Sequence, residues 1–492
     1  MRRAAAAAAP LLAILLAAPL AAQTPAAPSR TTPAAGPDRS KPPALGPVRP
    51  LKLPPVQKLA LANGLPVLLV ELHEVPVVAL NVVARAGAGA DPRHKPGLAS
   101  LTADLLDEGA GSRSALQIAD EIDYLGANLQ ARAGWDATAV ALHVPLKRLA
   151  AALPIFADIV LRPTFPAAEL DRVRKDRLTE LLQLRDEPRA IASVAFANAL
   201  YGRDHRYGAP VIGTERSVRG FSRADLALFH ERTFTPANSA IVVVGDVTAA
   251  SVQRELEQAF GGWKAPQRSA PAAVPAAPQV QARGIWIVDR PGSAQSEIRI
   301  GRVGPPRSTA DYFPLTVMNT ILGGSFTSRL MQNLREQHGY AYGARSSFDY
   351  RLSTGPFAAA AAVQTDKTAP ALTEFFKELD AIRKTVTEAE VAKAKNYVAL
   401  SFPSDVETTG DIAGKLEEQF VYGLPDGWLD SYVANVGAVT LADVRRVAEQ
   451  YIDPAKVAIV VVGDRQKIEP EIRALNLGPI RVRSVEEVFG KK

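Results

Sequence analysis

The 492-residue chain has no cysteine, which excludes disulfides, lipid attachment through a lipobox cysteine and every thiolate metal site. Stability must come from packing. Beyond Ala22 no window is apolar for long enough to cross a bilayer, so no internal membrane span is expected. Blocks of like charge are also missing. The net charge is +6 and the pI near 9.3, but basic residues alternate with acids, a pattern that describes a solvated surface and excludes a polyanion-binding face. Nucleic acid is therefore not expected among the partners.

What is present is 47% hydrophobic and 22% charged residues in a length that exceeds one typical domain, so two or more domains with ordinary cores are expected. Arg2 and Arg3 precede an apolar run from Ala4 to Ala18, and Leu20-Ala21-Ala22 ends in small residues before Gln23. This order fits a secretory signal over residues 1–22, and an exported, periplasmic protein of a Gram-negative bacterium is expected. Residues 23–56 carry Pro42-Pro43, Pro47, Pro50 and Pro54-Pro55, a composition suited to an extended tether. A second Ala/Pro-rich segment, 265–283, reads as a linker between domains at 57–264 and 284–480, with 481–492 as a tail.

The two halves repeat. The stretches that start at Ala224 (ADLALFHERTFTPANSAIVVVGD) and Ala442 (ADVRRVAEQYIDPAKVAIVVVGD) lie 218 residues apart and share an IVVVGD ending. In each, helical spacing is broken at Pro236 or Pro454, and a β-branched run then enters a Gly-Asp turn, as a buried strand does. Asn63-Gly64 is a hairpin signal between apolar strands, followed by a strand at Val77–Ala84; Gly284–Asp289 and Ser296–Val303 are the weaker strands of the second half. Strands and helices alternate without a βαβ rhythm, so the expected class is α+β: two homologous domains, each a mainly antiparallel sheet packed with helices.

With these motifs in view the chain resembles the M16 peptidase family (pitrilysin, insulinase and processing-peptidase-like) over nearly all of residues 57–480. The resemblance rests on Asn63-Gly64-Leu65-Pro66-Val67, the turn Ala86 to Asp91, Gly97-Leu98-Ala99, the Pro188 region with Tyr201 and Gly208, and Pro236-Ala237-Asn238. It implies that the two domains form half of a clam-like chamber. In active members Gly-Leu-Ala is followed by HxxEH, where two imidazoles at i and i+4 grip one zinc and the Glu handles the attacking water. The matching positions here are Ser100, Ala103 and Asp104, and the family's third ligand matches Glu180. The resemblance thus implies a degenerate zinc site. Asp104 and Glu180 without further oxygen ligands are a poor site for a harder ion such as calcium. His94, in DPRHKPG, reads as a surface histidine with no second His at coordinating spacing.

A second signature is retained. Gly323-Gly324-Ser325 precedes Ser328-Arg329-Leu330 and then Arg335-Glu336-Gln337-His338-Gly339-Tyr340-Ala341-Tyr342, where Gly339 is placed to end a helix in a left-handed cap. In the family an Arg and a Tyr seven positions apart in this segment reach the peptide held at the zinc; the matching residues are Arg335 and Tyr342. Both are donors able to stabilise the negative charge that develops on a scissile carbonyl oxygen. The run Gly126-Ala127-Asn128-Leu129-Gln130-Ala131 matches the family's edge strand, to which peptide adds as a further strand.

The resemblance thus implies a zinc-less subunit, inactive alone and active as a heterodimer with an HxxEH-bearing M16 partner that holds the zinc, acting on peptide substrates. The alternative is a non-catalytic structural or peptide-holding protein of an envelope complex. That alternative explains the lost metal site but not the intact Arg/Tyr segment. A self-sufficient zinc peptidase is excluded by Ser100, Ala103 and Asp104.

Overall fold

A computed structural model describes Ser40, residues 52–264 and residues 274–490 of the chain. The expected signal (1–22), nearly all of the expected tether (23–56) and residues 265–273 of the expected linker lie outside the described residues. Twelve strands form two six-stranded sheets. The first contains β1 (Gln57–Ala60), β2 (Pro66–Glu71), β3 (Val77–Ala84), β4 (Asn128–Ala133), β5 (Thr138–Pro145) and β6 (Ser239–Gly245) in the order β1-β2-β6-β3-β5-β4. The second contains β7 (Gly284–Asp289), β8 (Gln295–Val303), β9 (Ala341–Phe348), β10 (Pro356–Gln364), β11 (Ala458–Gly463) and β12 (Ile480–Arg483) in the order β12-β7-β11-β8-β10-β9. Read this way the orders coincide, and the repeated IVVVGD strands β6 and β11 take the same place in each sheet.

Most neighbours are antiparallel, while β2 with β6, β7 with β11 and β7 with β12 are parallel. The α+β expectation is met: two helix-packed sheets, one per half. Residues beyond 480, expected as a tail, instead complete the second sheet as β12 and add a helix at Val485–Phe489. Alternation in Ile480-Arg481-Val482-Arg483 gives this short edge strand an apolar side, a signal too brief to stand out in the sequence.

Helix placement explains why the repeated strands are apolar throughout. One face of the first sheet buries Val67, Leu69, Ile241 and Val243 against α1 (Leu98–Ala103) and α2 (Ala167–Gln183), through Leu98, Leu101, Leu170 and Val173. The helix α3 (Pro188–Tyr201) leaves its own half and packs Ile191, Ala195, Phe196 and Leu200 against Val288, Val460 and Val462 of the second sheet. In return α4 (Thr409–Tyr422), from the second half, covers β3 and β6 of the first. Each sheet is thus covered on both faces, so odd and even positions of IVVV are all buried. Full burial of Phe196 or Leu200 contributes roughly 1.5–3 kcal/mol each.

Asp136, in the turn between β4 and β5, ties these exchanged parts together. Its Oδ2 accepts from Leu352 N at 2.9 Å and from the Tyr422 hydroxyl at 3.1 Å, and its Oδ1 accepts from the Tyr207 hydroxyl at 3.4 Å. Burial raises the Asp136 carboxyl above the usual carboxylate range. Arg351 lies over the Trp135 and Tyr207 rings at 4.1 and 4.4 Å. Asp136→Ala leaves three donors without this acceptor, the buried Tyr207 hydroxyl among them, and a loss of about 2 kcal/mol is expected in urea unfolding. Among the described residues no helix is long and apolar enough to cross a membrane.

Candidate functional site

The segment that resembles the zinc-binding region is built on a close backbone approach. Gly97 opens α1 at φ +91°, and a Cβ there would lie 2.6 Å from Gly213 Cα, so the 210–214 loop can rest on the start of the helix only with glycine at both places. Asp91 caps the helix, accepting from Gly97 N at 2.7 Å and from Ala99 N at 2.8 Å. Burial pushes its carboxyl up to about 7, against the pull of those N–H groups and of Arg206. An acid whose folded pKa is raised adds stability fully below its unfolded pKa and loses it as pH rises through the folded value. The expected result is a denaturation midpoint that falls between about pH 4 and 7, with a shallower fall in Asp91→Asn.

Ser100 and Ala103 are buried in α1, and Asp104 follows at its C-cap with its N–H bonded to Ser100 O at 3.1 Å. Glu180 projects from α2 and is half exposed. Between the two carboxylates lies the guanidinium of Arg177. It pairs with the Asp104 carboxylate, its Nε sits 3.0 Å from Glu180 Oε2, and its Nη1 donates to Ile212 O at 3.0 Å. The Arg177 side chain is only 6% exposed, so this cation is built into the packing. Burial raises the Asp104 carboxyl, Arg177 opposes the rise, and Glu180 and Glu108 add to it.

This donor set of a hydroxyl, a methyl and two carboxylates already held by a guanidinium does not fit the nitrogen-rich tetrahedral site that zinc takes in HxxEH proteins. Sequence reasoning missed Arg177. Its signal was there: Leu170, Val173, Arg177 and Leu181 are the buried positions of α2, so an arginine interrupts an otherwise apolar stripe. His94 is exposed.

Arg335 and Tyr342 are brought together at the far edge of the second sheet. Arg329 is fixed by a two-pronged pair with Glu390, at 2.7 and 2.9 Å. From there the helix passes into a π-helical turn at Gln332–Gln337, a form that often marks functional sites. Gly339, at φ +64°, ends it: its N–H bonds Arg335 O at 3.0 Å, and Tyr340 N bonds Leu334 O at 2.8 Å. The chain then enters edge strand β9 with a register shift between Ala341 and Ala344, which redirects the side chains between them. The Arg335 guanidinium lies over two rings, Phe326 at 4.8 Å and Tyr342 at 5.1 Å, with Glu336 at 3.3 Å. Tyr342 is 87% exposed and Phe326 59%, so a phenol stands in solvent at the sheet edge with a part-exposed arginine beside it.

The expected substrate strand is also an edge. β4 pairs only with β5 in the first sheet, and it takes the place there that β9 takes in the second. The strand begins at Asn128, however. Gly126 and Ala127 instead close the helix Ala115–Tyr124, with Gly126 N on Asp123 O at 2.9 Å and Ala127 N on Ile122 O at 3.1 Å. From Asn128 on, every second residue of β4 turns its backbone groups outward to an added strand, whereas the amides of Gly126 and Ala127 are already bonded.

Comparison with known proteins bears on family and fold. The family profile described as Insulinase (Peptidase family M16) matches residues 66–215, and that described as Peptidase M16 inactive domain matches residues 220–398. An uncharacterized zinc protease of Mycobacterium leprae is 27% identical over 406 residues, covering 81% of this chain and 89% of its own. Another, YmxG of Bacillus subtilis, is 23% identical over 398 residues, covering 80% and 95%. Among solved structures, a peptidase M16 inactive domain from Pseudomonas fluorescens superimposes with a TM-score of 0.78 at 28% identity, over 83% of this chain and 98% of that one. A chain of complex III2 from Candida albicans shares the fold, with a TM-score of 0.71 at 15% identity over 85% and 99%.

Proposed function

The chain belongs to the M16 peptidase family, and on that premise we propose that it is a zinc-less subunit of a heteromeric peptidase, lending Arg335 and Tyr342 to peptide hydrolysis at a partner's zinc. The observation that carries this reading is the division within one chain. The positions that bind metal elsewhere in the family are closed by Arg177, while Tyr342 stands open on a sheet edge with Arg335 stacked beside it. An HxxEH-bearing M16 subunit is the proposed partner, enclosing a chamber with this one as two clam-like halves, and export places both in the periplasm.

The partner's zinc supplies the activated water. This chain's residues hold and polarise the peptide: the Arg335 guanidinium and the Tyr342 hydroxyl are donors for the carbonyl oxygen as it gains negative charge. Stacking of the guanidinium on Phe326 and Tyr342 restricts it before substrate arrives, which lowers the entropy lost on binding. The peptide backbone adds to an exposed strand, with Asn128 and Leu129 at its start.

The reading is tested by mixing the purified chain with the HxxEH-bearing M16 protein encoded nearest to it, followed by size-exclusion chromatography and metal analysis. A stoichiometric complex with zinc that tracks the partner is expected. Co-elution failure at micromolar concentrations, or zinc retained by this chain alone, would overturn it.

A further inference from the structure

Beside Tyr342 the second sheet carries an excess of arginine: among the described residues, Arg189, Arg299 and Arg345 gather around one carboxylate, Glu297. In register, Arg299 of β8 faces Ala360 of β10, and Ala360 faces Arg345 of β9. Directly opposed residues in antiparallel strands project from the same face, so two guanidinium stems flank one methyl group at a separation of about 10 Å. Arg189, in the first turn of α3, joins them from above. Together with Gln295, Glu297, Tyr342 and the floor residue Ala360, Arg189 and Arg345 line a cleft of about 560 Å³.

Among the described residues none of the three guanidiniums has a hydrogen-bond or ion-pair partner. The Nε of Arg299 is buried with its hydrogen unused. Burial, then Arg345 and Arg189, lower the pKa of Arg299, while Glu297 is the one carboxylate that counters them.

The first sheet shows what a neutralised version looks like. Arg299 faces Val460 of β11, and Asn81 faces Val242 of β6, the matching valine of the repeat. Asn81 donates to Glu417 at 2.6 Å, and Glu417 also accepts from Arg132 at 2.5 Å. The carboxylate comes from α4, the helix that crosses from the other half. The corresponding helix over the second sheet, α3, brings Arg189 instead.

We infer that this cleft is a subsite for a carboxylate side chain of the bound peptide, an inference that rests on the peptide-binding role proposed above. A carboxylate placed over Ala360 meets guanidiniums on two or three sides, can be held in two-pronged fashion, and relieves the repulsion among them. Glu297 fixes one side of the cleft and leaves a surplus of positive charge for the ligand. Tyr342, proposed above to meet a peptide carbonyl, also lines the cleft, so the cleft reads a side chain close to that carbonyl.

The test uses the full chain and fluorescence anisotropy with labelled peptides that place a single Glu, Gln or Lys at each position in turn of one otherwise neutral sequence. At one position Glu should bind at least about tenfold tighter than Gln, with Lys weaker still. Arg345→Gln, on an exposed side chain, should bring Glu down to the affinity of Gln and leave the Gln peptide unchanged. Arg335→Ala should leave all three affinities nearly unchanged, because that donor acts on charge that develops only in the transition state. Equal binding of the three peptides at every position would overturn the subsite and leave the peptide-binding role standing. Binding of none would overturn that role and the subsite with it.

Discussion

Arg335→Ala and Tyr342→Phe should each lower the turnover of the assembled peptidase by about 100-fold or more, with circular dichroism and unfolding midpoints unchanged. The size of the effect follows from what each donor does. A hydrogen bond aimed at charge that develops only in the transition state is lost wholly from the rate and hardly at all from substrate affinity, so kcat should fall and KM should stay. The fold should not register the change, because Tyr342 is 87% exposed and loses one hydroxyl. Arg335 is 30% exposed and stacks on rings that are themselves in solvent. Unchanged turnover in both variants would remove the Arg/Tyr pair from the mechanism.

A second large effect is expected where Arg177 lies. Ser100→His, Ala103→Glu and Asp104→His together restore the HxxEH pattern, and Glu180 supplies the third ligand position. With Arg177 still held beside Glu180, this triple variant should bind zinc poorly, since a fixed cation repels the metal and occupies a ligand. Adding Arg177→Leu, which suits the apolar stripe of α2, should raise zinc affinity by about 10- to 100-fold, measured by competition with a chromogenic chelator. Equal affinity with and without Arg177 would show that the guanidinium does not obstruct the site.

Much of the fold was legible because the strands are written in local signals. The repeat from Ala224 and Ala442, its Pro break and its β-branched run placed a helix and a buried strand in each half, and the strands lie at Ser239–Gly245 and Ala458–Gly463. The exchange of α3 and α4 between halves was not legible, since a helix with an apolar face does not state which sheet it covers. Nor was the true start of β4. Gly126 and Ala127 look like strand by resemblance, yet Gly126, at φ +63°, and Ala127 are spent on closing a helix.

At the site the spacing of Arg335, Gly339 and Tyr342 was enough to place a cap and an extended segment. The bulge and π-turn that bring the two side chains within stacking distance depend on backbone geometry that sequence does not fix. Arg177 was legible in principle, as a charge on an apolar stripe. The row Arg299, Ala360, Arg345 was not, because it exists only in the register of three strands.

The most direct test of the central claim is hydrolysis of a quenched fluorescent peptide library by this chain alone, by the HxxEH-bearing neighbour alone and by the two mixed. Activity confined to the mixture, titrating to an equimolar end point and lost with chelator, is the predicted result. Equal activity for the neighbour alone and for the mixture would contradict a shared active site.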